Sequence, residues 1–230
     1  LKKKRISLAV FSGFENNPLN DSSTKGDYFV EEDFSINWLP TFNKTFGADI
    51  GYLIINQDYI EQKDVSSTDQ TISAILKYYP LESGKLRIEP GISYEWLYYP
   101  DDENSGYEDL KYFLRFKHSI GKAWNYGGKY EHSFKTYDKK QARDASKTNL
   151  GFNREDNRHI AELYVTKFIG KYSIKLKSKF YRNTSNDNYQ EYYDYDSGKG
   201  YLVFSRSFLK DDKLNISFTP SFERKNYHHR

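Results

Sequence analysis

A two-residue alternation of apolar and polar side chains constrains this chain more than any other feature. Between Leu86 and Tyr98 the even positions are apolar or aromatic, and most odd positions are polar or charged. Successive side chains of a β-strand point to opposite faces, so this pattern predicts a strand with chemically opposite faces. Strands of globular proteins usually have five or six residues, whereas a tilted strand needs roughly nine to eleven to cross a bilayer. The length therefore raises the question of whether the apolar face contacts protein interior or lipid.

Ten further segments show the same alternation, and none shows a helical period. The eleven predicted strands cover Ile6–Val10, Val30–Trp38, Phe46–Ile54, Ile72–Tyr78, Leu86–Tyr98, Leu110–Ile120, Trp124–Phe134, Ala161–Ile169, Tyr172–Phe180, Leu202–Phe208 and Leu214–Phe222. Pro90 and Pro220 lie inside two of them, and because proline cannot donate to a ladder, each predicts a bulge or a sheet edge.

The connections between these segments alternate in length. Long segments, among them 138–158 and 183–200, alternate with short ones such as the turn at Gly170 and Lys171. Outer-membrane barrels have short periplasmic turns and longer extracellular loops, and a soluble meander has no reason to sort its loops by side. The alternation therefore favours an up-and-down barrel whose two rims face different compartments.

Alternation alone does not say which face lies outside. A small soluble barrel turns its apolar face inward, and a membrane barrel turns its polar face toward the lumen. Charges of both signs at the polar positions and aromatic residues near the ends of the apolar ones favour the membrane barrel. A soluble β protein that encloses an apolar ligand stays open as an alternative at this point.

Composition narrows the possibilities further. Tyrosine, phenylalanine and tryptophan make up 18% of the 230 residues, which argues against disorder although only 37% of the chain is hydrophobic. The net charge of +3 gives no bulk basicity for nucleic acid. The absence of cysteine excludes a disulfide framework and a thiolate metal site.

These observations predict an all-β fold, an up-and-down antiparallel transmembrane β-barrel of about 12 strands with roughly 11 visible in this chain. Residues 1–230 are expected to form a single outer-membrane β-barrel domain. Because bacterial single-chain barrels have an even strand number and the chain has no methionine, we expect it to lack an upstream segment and a final strand.

The layout resembles that of Gram-negative outer-membrane β-barrels over nearly all of the chain. The opening stretch SGFENNPL, Ser12 to Leu19, is also faintly similar to the start of barrels that follow a periplasmic tetratricopeptide-repeat domain, as in surface lipoprotein assembly modulators. The resemblance implies residence in the bacterial outer membrane, contact with membrane lipid and a role in passage or export. Barrels of this class commonly end on an aromatic residue, and Arg230 departs from that pattern.

The predicted lumen carries many cations, and rings of lysine and arginine favour anions in a pore. The anion-favouring candidates are Arg87, Lys111, Arg115, Lys117, Lys129, Lys135, Lys175, Lys177 and Lys179. Acidic residues such as Glu131 and Glu162 would neutralise part of this charge. A salt-bridged lumen that only holds the shape of the barrel is therefore an equal alternative.

The loop between the ninth and tenth strands supplies candidates for binding a partner, since tyrosine is favoured at interfaces. They are Tyr189, Tyr192, Tyr193 and Tyr195. The acidic loops match no EF-hand spacing, and His228 with His229 offers only two possible metal ligands. His118 lies beside Ser119, but adjacent strand residues face opposite ways. We therefore predict no catalytic, cofactor or metal site.

The function predicted from these patterns is an outer-membrane channel for the passage or export of a solute, a polymer or a polypeptide. The long loops would be extracellular and the short turns periplasmic. The alternative is a plugged structural or adhesive barrel that binds a partner, such as another envelope or surface protein, through its tyrosine-rich loops. We expect no enzymatic activity, no cofactor and no nucleic-acid partner.

Overall fold

The fold is a single antiparallel sheet of long strands. The computed structural model describes residues 2–15, 26–81, 85–102, 105–189, 193–208 and 214–228. The strands are β1 Lys2–Glu15, β2 Asp27–Pro40, β3 Phe46–Tyr59, β4 Ser67–Tyr78, β5 Leu86–Tyr98, β6 Tyr107–Ile120, β7 Trp124–Arg143, β8 Asn149–Ile169, β9 Tyr172–Ser185, β10 Tyr195–Phe208, β11 Leu214–Phe218 and β12 Ser221–Tyr227. A 3₁₀ turn lies at Lys63–Val65, and no helix of the described residues is long and apolar enough to cross a membrane.

Each strand from β1 to β10 pairs with the next strand along the chain, which is the up-and-down order predicted from the sequence. β10 pairs with β9 on one edge, and on the other edge with both β11 and β12. Within the described ranges, no ladder joins β1 to β11 or β12. The ladders therefore define eleven strand positions, as expected, and the last position is divided in two.

Proline explains the division. β11 and β12 keep the same register on β10, with Phe204 opposite Phe218 and Tyr201 opposite Ser221. Between them the Leu202 N–H donates to the Pro220 carbonyl at 3.1 Å, but Pro220 has no N–H to return. The break at a sheet edge agrees with the prediction for Pro220.

Pro90 behaves differently from the prediction of a bulge or an edge. It lies in β5, which pairs on both sides, and its ladder to β6 is continuous with Pro90 opposite Leu114. The ladder to β4 stops after Ile75 opposite Gly91 and resumes at Tyr78 opposite Ile88, with the register unchanged. The missing N–H is therefore accommodated by a local gap in one ladder.

The outer parts of β7 and β8 are a second difference from the sequence analysis. Residues 138–158 were expected to form a loop, but β7 continues to Arg143 and β8 begins at Asn149, around a turn at 144–148. The turn is closed by Asp144 Oδ1, which accepts hydrogen bonds from the N–H groups of Ser146 and Thr148 at 2.8 and 2.9 Å. The hairpin thus extends the wall well past the apolar band.

The apolar face is the exposed face. Ile92, Leu114 and Leu176 are 40%, 47% and 57% exposed, whereas the neighbouring side chain of Lys177 is 28% exposed. Among the described residues, the buried set contains four hydrophobic residues and thirteen polar or charged ones. This is the reverse of a soluble protein. It is the arrangement of a barrel with lipid outside and a polar interior.

Aromatic residues mark both ends of the exposed band. Near the short turns, Trp124 lies under the Lys167 ammonium at 5.1 Å and Phe46 stacks on Tyr78 at 4.8 Å. Near the long loops, Tyr94 contacts Trp96, with ring centroids 4.3 Å apart. From Trp124 to Phe134 the strand spans about 33 Å, or roughly 25 Å after tilting, which matches the apolar band of outer-membrane barrels.

Candidate functional site

The candidate site is the inward face of the sheet, where a row of charged residues crosses seven strands. Directly opposed partners on β5 to β10 and β12 form this row, which we call the charged belt: Glu89, Arg115, Lys129, Glu162, Lys179, Lys199 and Glu223. The belt holds four cations and three carboxylates. An inward face with this composition is suited to a wet lumen and not to an apolar ligand.

Carboxylates reach several of the cations in and beside the belt. The Glu162 carboxylate lies 2.8 Å from the Lys177 ammonium and 3.1 Å from the Lys179 ammonium. One carboxylate therefore pairs with two lysines of β9. Glu223 lies 3.1 Å from Lys199. These pairs are partly exposed and therefore contribute little to stability, but they fix the positions of the lysine ammonium groups.

All nine predicted lumen cations lie on the inward face, in three different settings. Arg87, Lys111, Lys129, Lys177 and Lys179 have carboxylate partners. Arg115, Lys135 and Lys175 lie over the rings of Phe113, Tyr107 and Tyr164 at 4.3, 3.2 and 4.6 Å. Lys117 is exposed to the interior and lines a cavity of about 210 Å³ beside the belt.

The cavity beside the belt combines Lys117 with residues of both signs. Four cations line it, Arg87, Arg115, Lys117 and Lys129, together with the carboxylates of Glu89 and Glu162. The side chains that line this cavity therefore include more cations than carboxylates.

Two inward aromatic rings each lie opposite a glycine, whose missing side chain lets the ring lie flat along the sheet. A Cβ added at Gly91 would lie 2.5 Å from Phe113 Cε2, and one at Gly127 would lie 2.7 Å from the Tyr164 hydroxyl. The rings occupy the space that a side chain would fill, so they lie along the sheet and project less into the lumen. These pairs cannot be predicted from parity alone, because strand pairing brings each glycine to its ring.

At the long-loop end of the sheet, the β7–β8 hairpin contacts residues 186–188, which follow β9. Arg154 donates two hydrogen bonds to Asp156, at 2.9 and 2.6 Å, and both side chains are 5% exposed. Arg143 lies 3.2 Å from the buried carboxylate of Asp187. Burial and the nearby Arg154 and Arg143 lower the pKa of Lys140, which lies outside the apolar band.

The predicted partner-binding tyrosines are used largely in packing this outer region. Tyr193 lies under the Arg154 guanidinium at 3.5 Å, and Tyr189 lies under that of Arg143 at 4.4 Å. Tyr195 contacts Tyr227, with ring centroids 6.2 Å apart. Tyr192 lies outside the described residues. The part of the chain that the structure describes contains no group of three or more histidine or acidic residues that could hold a metal ion.

The chain is similar to known outer-membrane proteins in structure. An outer membrane channel from Pseudomonas putida F1 matches with a TM-score of 0.51 and 11% identity, over 96% of this chain and 91% of that one. The NanC porin gives 0.41 and 11%, over 95% and 97%, and the β domain of the Bordetella autotransporter BrkA gives 0.43 and 7%, over 97% and 93%. No protein-family model and no curated protein sequence matches the chain.

The similarity to the Pseudomonas channel confirms the predicted fold: the chain has the all-β, up-and-down antiparallel architecture of an outer-membrane β-barrel. None of the three structures supports the finer resemblance to barrels that follow a tetratricopeptide-repeat domain.

Proposed function

We propose that this protein is a channel of the bacterial outer membrane that passes a hydrophilic solute through its lumen. The observation that carries the proposal is the charged belt on the inward face of a barrel whose apolar side chains are exposed. The long connections would face the outside of the cell and the short turns the periplasm. Passage would be passive, with selection by size and charge.

The cations beside the belt favour anionic solutes. Lys117 and Lys175 carry the argument, because neither makes an ion pair with a carboxylate among the described contacts. Lys177 and Lys179 share Glu162, so their charge is partly neutralised. An anion that enters from the short-turn side would meet Lys175 and Lys117 before it meets the belt.

Single-channel recording in planar bilayers tests both parts of the proposal. The wild-type protein should give discrete conductance steps and, in a salt gradient, a reversal potential on the anion-selective side. Replacing Lys117→Gln and Lys175→Gln together should move the reversal potential toward cation selectivity, and the matched control Lys167→Gln, on the outward face, should leave it unchanged. Absence of steps would refute the channel, while steps with an unmoved reversal potential would refute only the role of these lysines.

A second candidate function is a plugged barrel that binds a partner at its outer end. The observation in its favour is the packed outer region, where the Asp187 side chain is fully buried and Tyr189 and Tyr193 lie under arginines. Such a barrel would give no conductance steps in the same recording.

A further inference from the structure

A groove on the outward face lies apart from the lumen, near the long-loop end of β8, β9, β10 and β12. Its volume is about 760 Å³. Ala161 and Gly198 are the small residues of its floor, with Phe180 directly between them across the strands and Tyr130 on the other side of Ala161. A Cβ added at Gly198 would still lie 3.8 Å from the Phe180 ring, so the floor is low because its residues are small.

Cationic side chains line the end of the groove nearest the long loops. Arg182 lies directly opposite His159 on β8 and opposite Asp196 on β10. Arg182 donates to both Asp196 oxygens, at 2.7 and 3.0 Å, and its side chain remains 63% exposed.

Arg224 adds a second guanidinium on β12. Its cross-strand partner is Gly198, which offers no side chain, and its Nε donates to Asn226 at 3.3 Å. Two arginines against the single carboxylate of Asp196 leave the groove with an excess of positive charge.

The groove crosses the boundary of the apolar band. Phe180 is 58% exposed and belongs to the band, and the next outward residue of β9 is Arg182. Tyr130 is 49% exposed, and its hydroxyl lies 2.9 Å from Nδ1 of His159, as expected where aromatic residues meet the headgroups. One end of the groove is thus at the level of hydrocarbon and the other at the level of lipid headgroups.

We propose that this groove binds one anionic membrane lipid, with the phosphate on Arg182 and Arg224 and an acyl chain over Gly198, beside the Phe180 ring. Guanidinium groups match phosphate oxygens in geometry and charge. The low floor gives an acyl chain a longer contact than a flat wall would. The inference needs only the exposed apolar face and does not depend on whether the lumen conducts.

Two variants separate the headgroup contact from the acyl-chain contact. Arg224→Ala removes the arginine that has no carboxylate opposite it, and Gly198→Val fills the floor while leaving every cation in place. Valine suits a strand, and a Cβ at Gly198 meets no atom closer than 3.8 Å. Lys167→Ala is the matched control, because Lys167 is an outward cation at the opposite end of the band, above Trp124.

Native mass spectrometry of the full chain in non-ionic detergent, with phosphatidylglycerol or phosphatidylcholine added, measures the binding. The wild type should retain one phosphatidylglycerol in preference to phosphatidylcholine, and inorganic phosphate at millimolar concentration should not displace it. Arg224→Ala and Gly198→Val should each weaken retention about tenfold, and Lys167→Ala should not. Heat-modifiable electrophoretic mobility checks that each variant is folded.

Equal retention of the two lipids by the wild type would overturn the proposal. Wild-type retention by folded Arg224→Ala and Gly198→Val would also overturn it. Conductance recorded on the same preparations tests the proposed channel separately, so failure of one proposal can be told from failure of the other.

Discussion

Two inward aromatic rings depend on glycine at the opposite position. The Phe113 ring occupies the space beside Gly91, and the Tyr164 ring occupies the space beside Gly127. Phe113 is also 8% exposed and contacts the Arg115 guanidinium, so its position is fixed from two sides. At the scale of single residues, these contacts decide how far an aromatic ring extends into the lumen.

We predict that Gly91→Ala lowers the free energy of unfolding by about 1–3 kcal/mol, because the new methyl group overlaps the Phe113 ring. Gly200→Ala, where nothing lies within 4 Å of the added Cβ, should change it by less than about 0.5 kcal/mol. Denaturant unfolding in detergent micelles measures both. In the double variant Gly91→Ala/Phe113→Leu, the smaller leucine side chain makes room for the new methyl group and should restore part of the lost free energy of unfolding. Equal effects of the two single variants would contradict the account.

Buried and exposed arginine–aspartate pairs offer a second comparison at this scale. Arg154 and Asp156 are 5% exposed, whereas Arg182 and Asp196 are 63% and 33% exposed. Removing one partner of a buried pair leaves an uncompensated charge, which costs about 3–5 kcal/mol. Loss of an exposed pair costs about 1 kcal/mol or less.

Arg154→Ala should therefore reduce amide protection in residues 149–156 by about a hundredfold, the equivalent of roughly 3 kcal/mol. Arg182→Ala should reduce protection of its own neighbours by less than about tenfold. Hydrogen exchange followed by mass spectrometry gives both values. Similar losses at the two positions would show that burial does not distinguish the pairs.

At the scale of elements, alternation located every strand position, because lipid and lumen select opposite polarities along each membrane-spanning strand. It did not find the outer parts of β7 and β8. Beyond the apolar band, no lipid selects apolar side chains on one face, so the residues of Lys139 to Arg143 other than Ala142, and those of Asn153 to Glu155, are polar. The strands there are formed by hydrogen bonds of the turn and by strand pairing, which leave no alternation of polarity in the sequence.

The alternation of apolar and polar residues also does not predict which charged residues form ion pairs. The sequence placed Lys177 and Lys179 on the inward face, but only the register of β8 on β9 brings both to Glu162. The nine cations lie on one face as their parity predicts, their effect on anions stays a prediction, and the degree of their neutralisation required the pairing of strands.

An epitope inserted in the turn at 144–148 should be labelled by antibody on intact cells, because the proposed orientation places the β7–β8 hairpin outside. The same epitope inserted between Gly170 and Lys171, in the two-residue turn that joins β8 to β9, should be labelled only after permeabilisation. Flow cytometry of intact and permeabilised cells compares the two. The reverse pattern would place the short turns outside.

At the scale of the whole molecule, the barrel is turned inside out relative to a soluble protein. Among the described residues, the buried side chains are mostly polar, and many large apolar side chains are exposed, from Phe222 at 73% to Val165 at 36%. The outer face stabilises the protein only in contact with lipid, while the charged interior requires water or paired charges. The proposed channel and the proposed lipid groove both rest on this inversion.

Two adjacent residues of β9 test the inversion directly. The chain contains no cysteine, so Leu176→Cys and Lys177→Cys each introduce a single thiol, on the outward and inward face respectively. In liposomes, a charged water-soluble thiol reagent should modify the thiol at position 177 at least about tenfold faster than the one at 176, since burial in hydrocarbon excludes a charged group. Equal rates, or faster modification at position 176, would contradict the account.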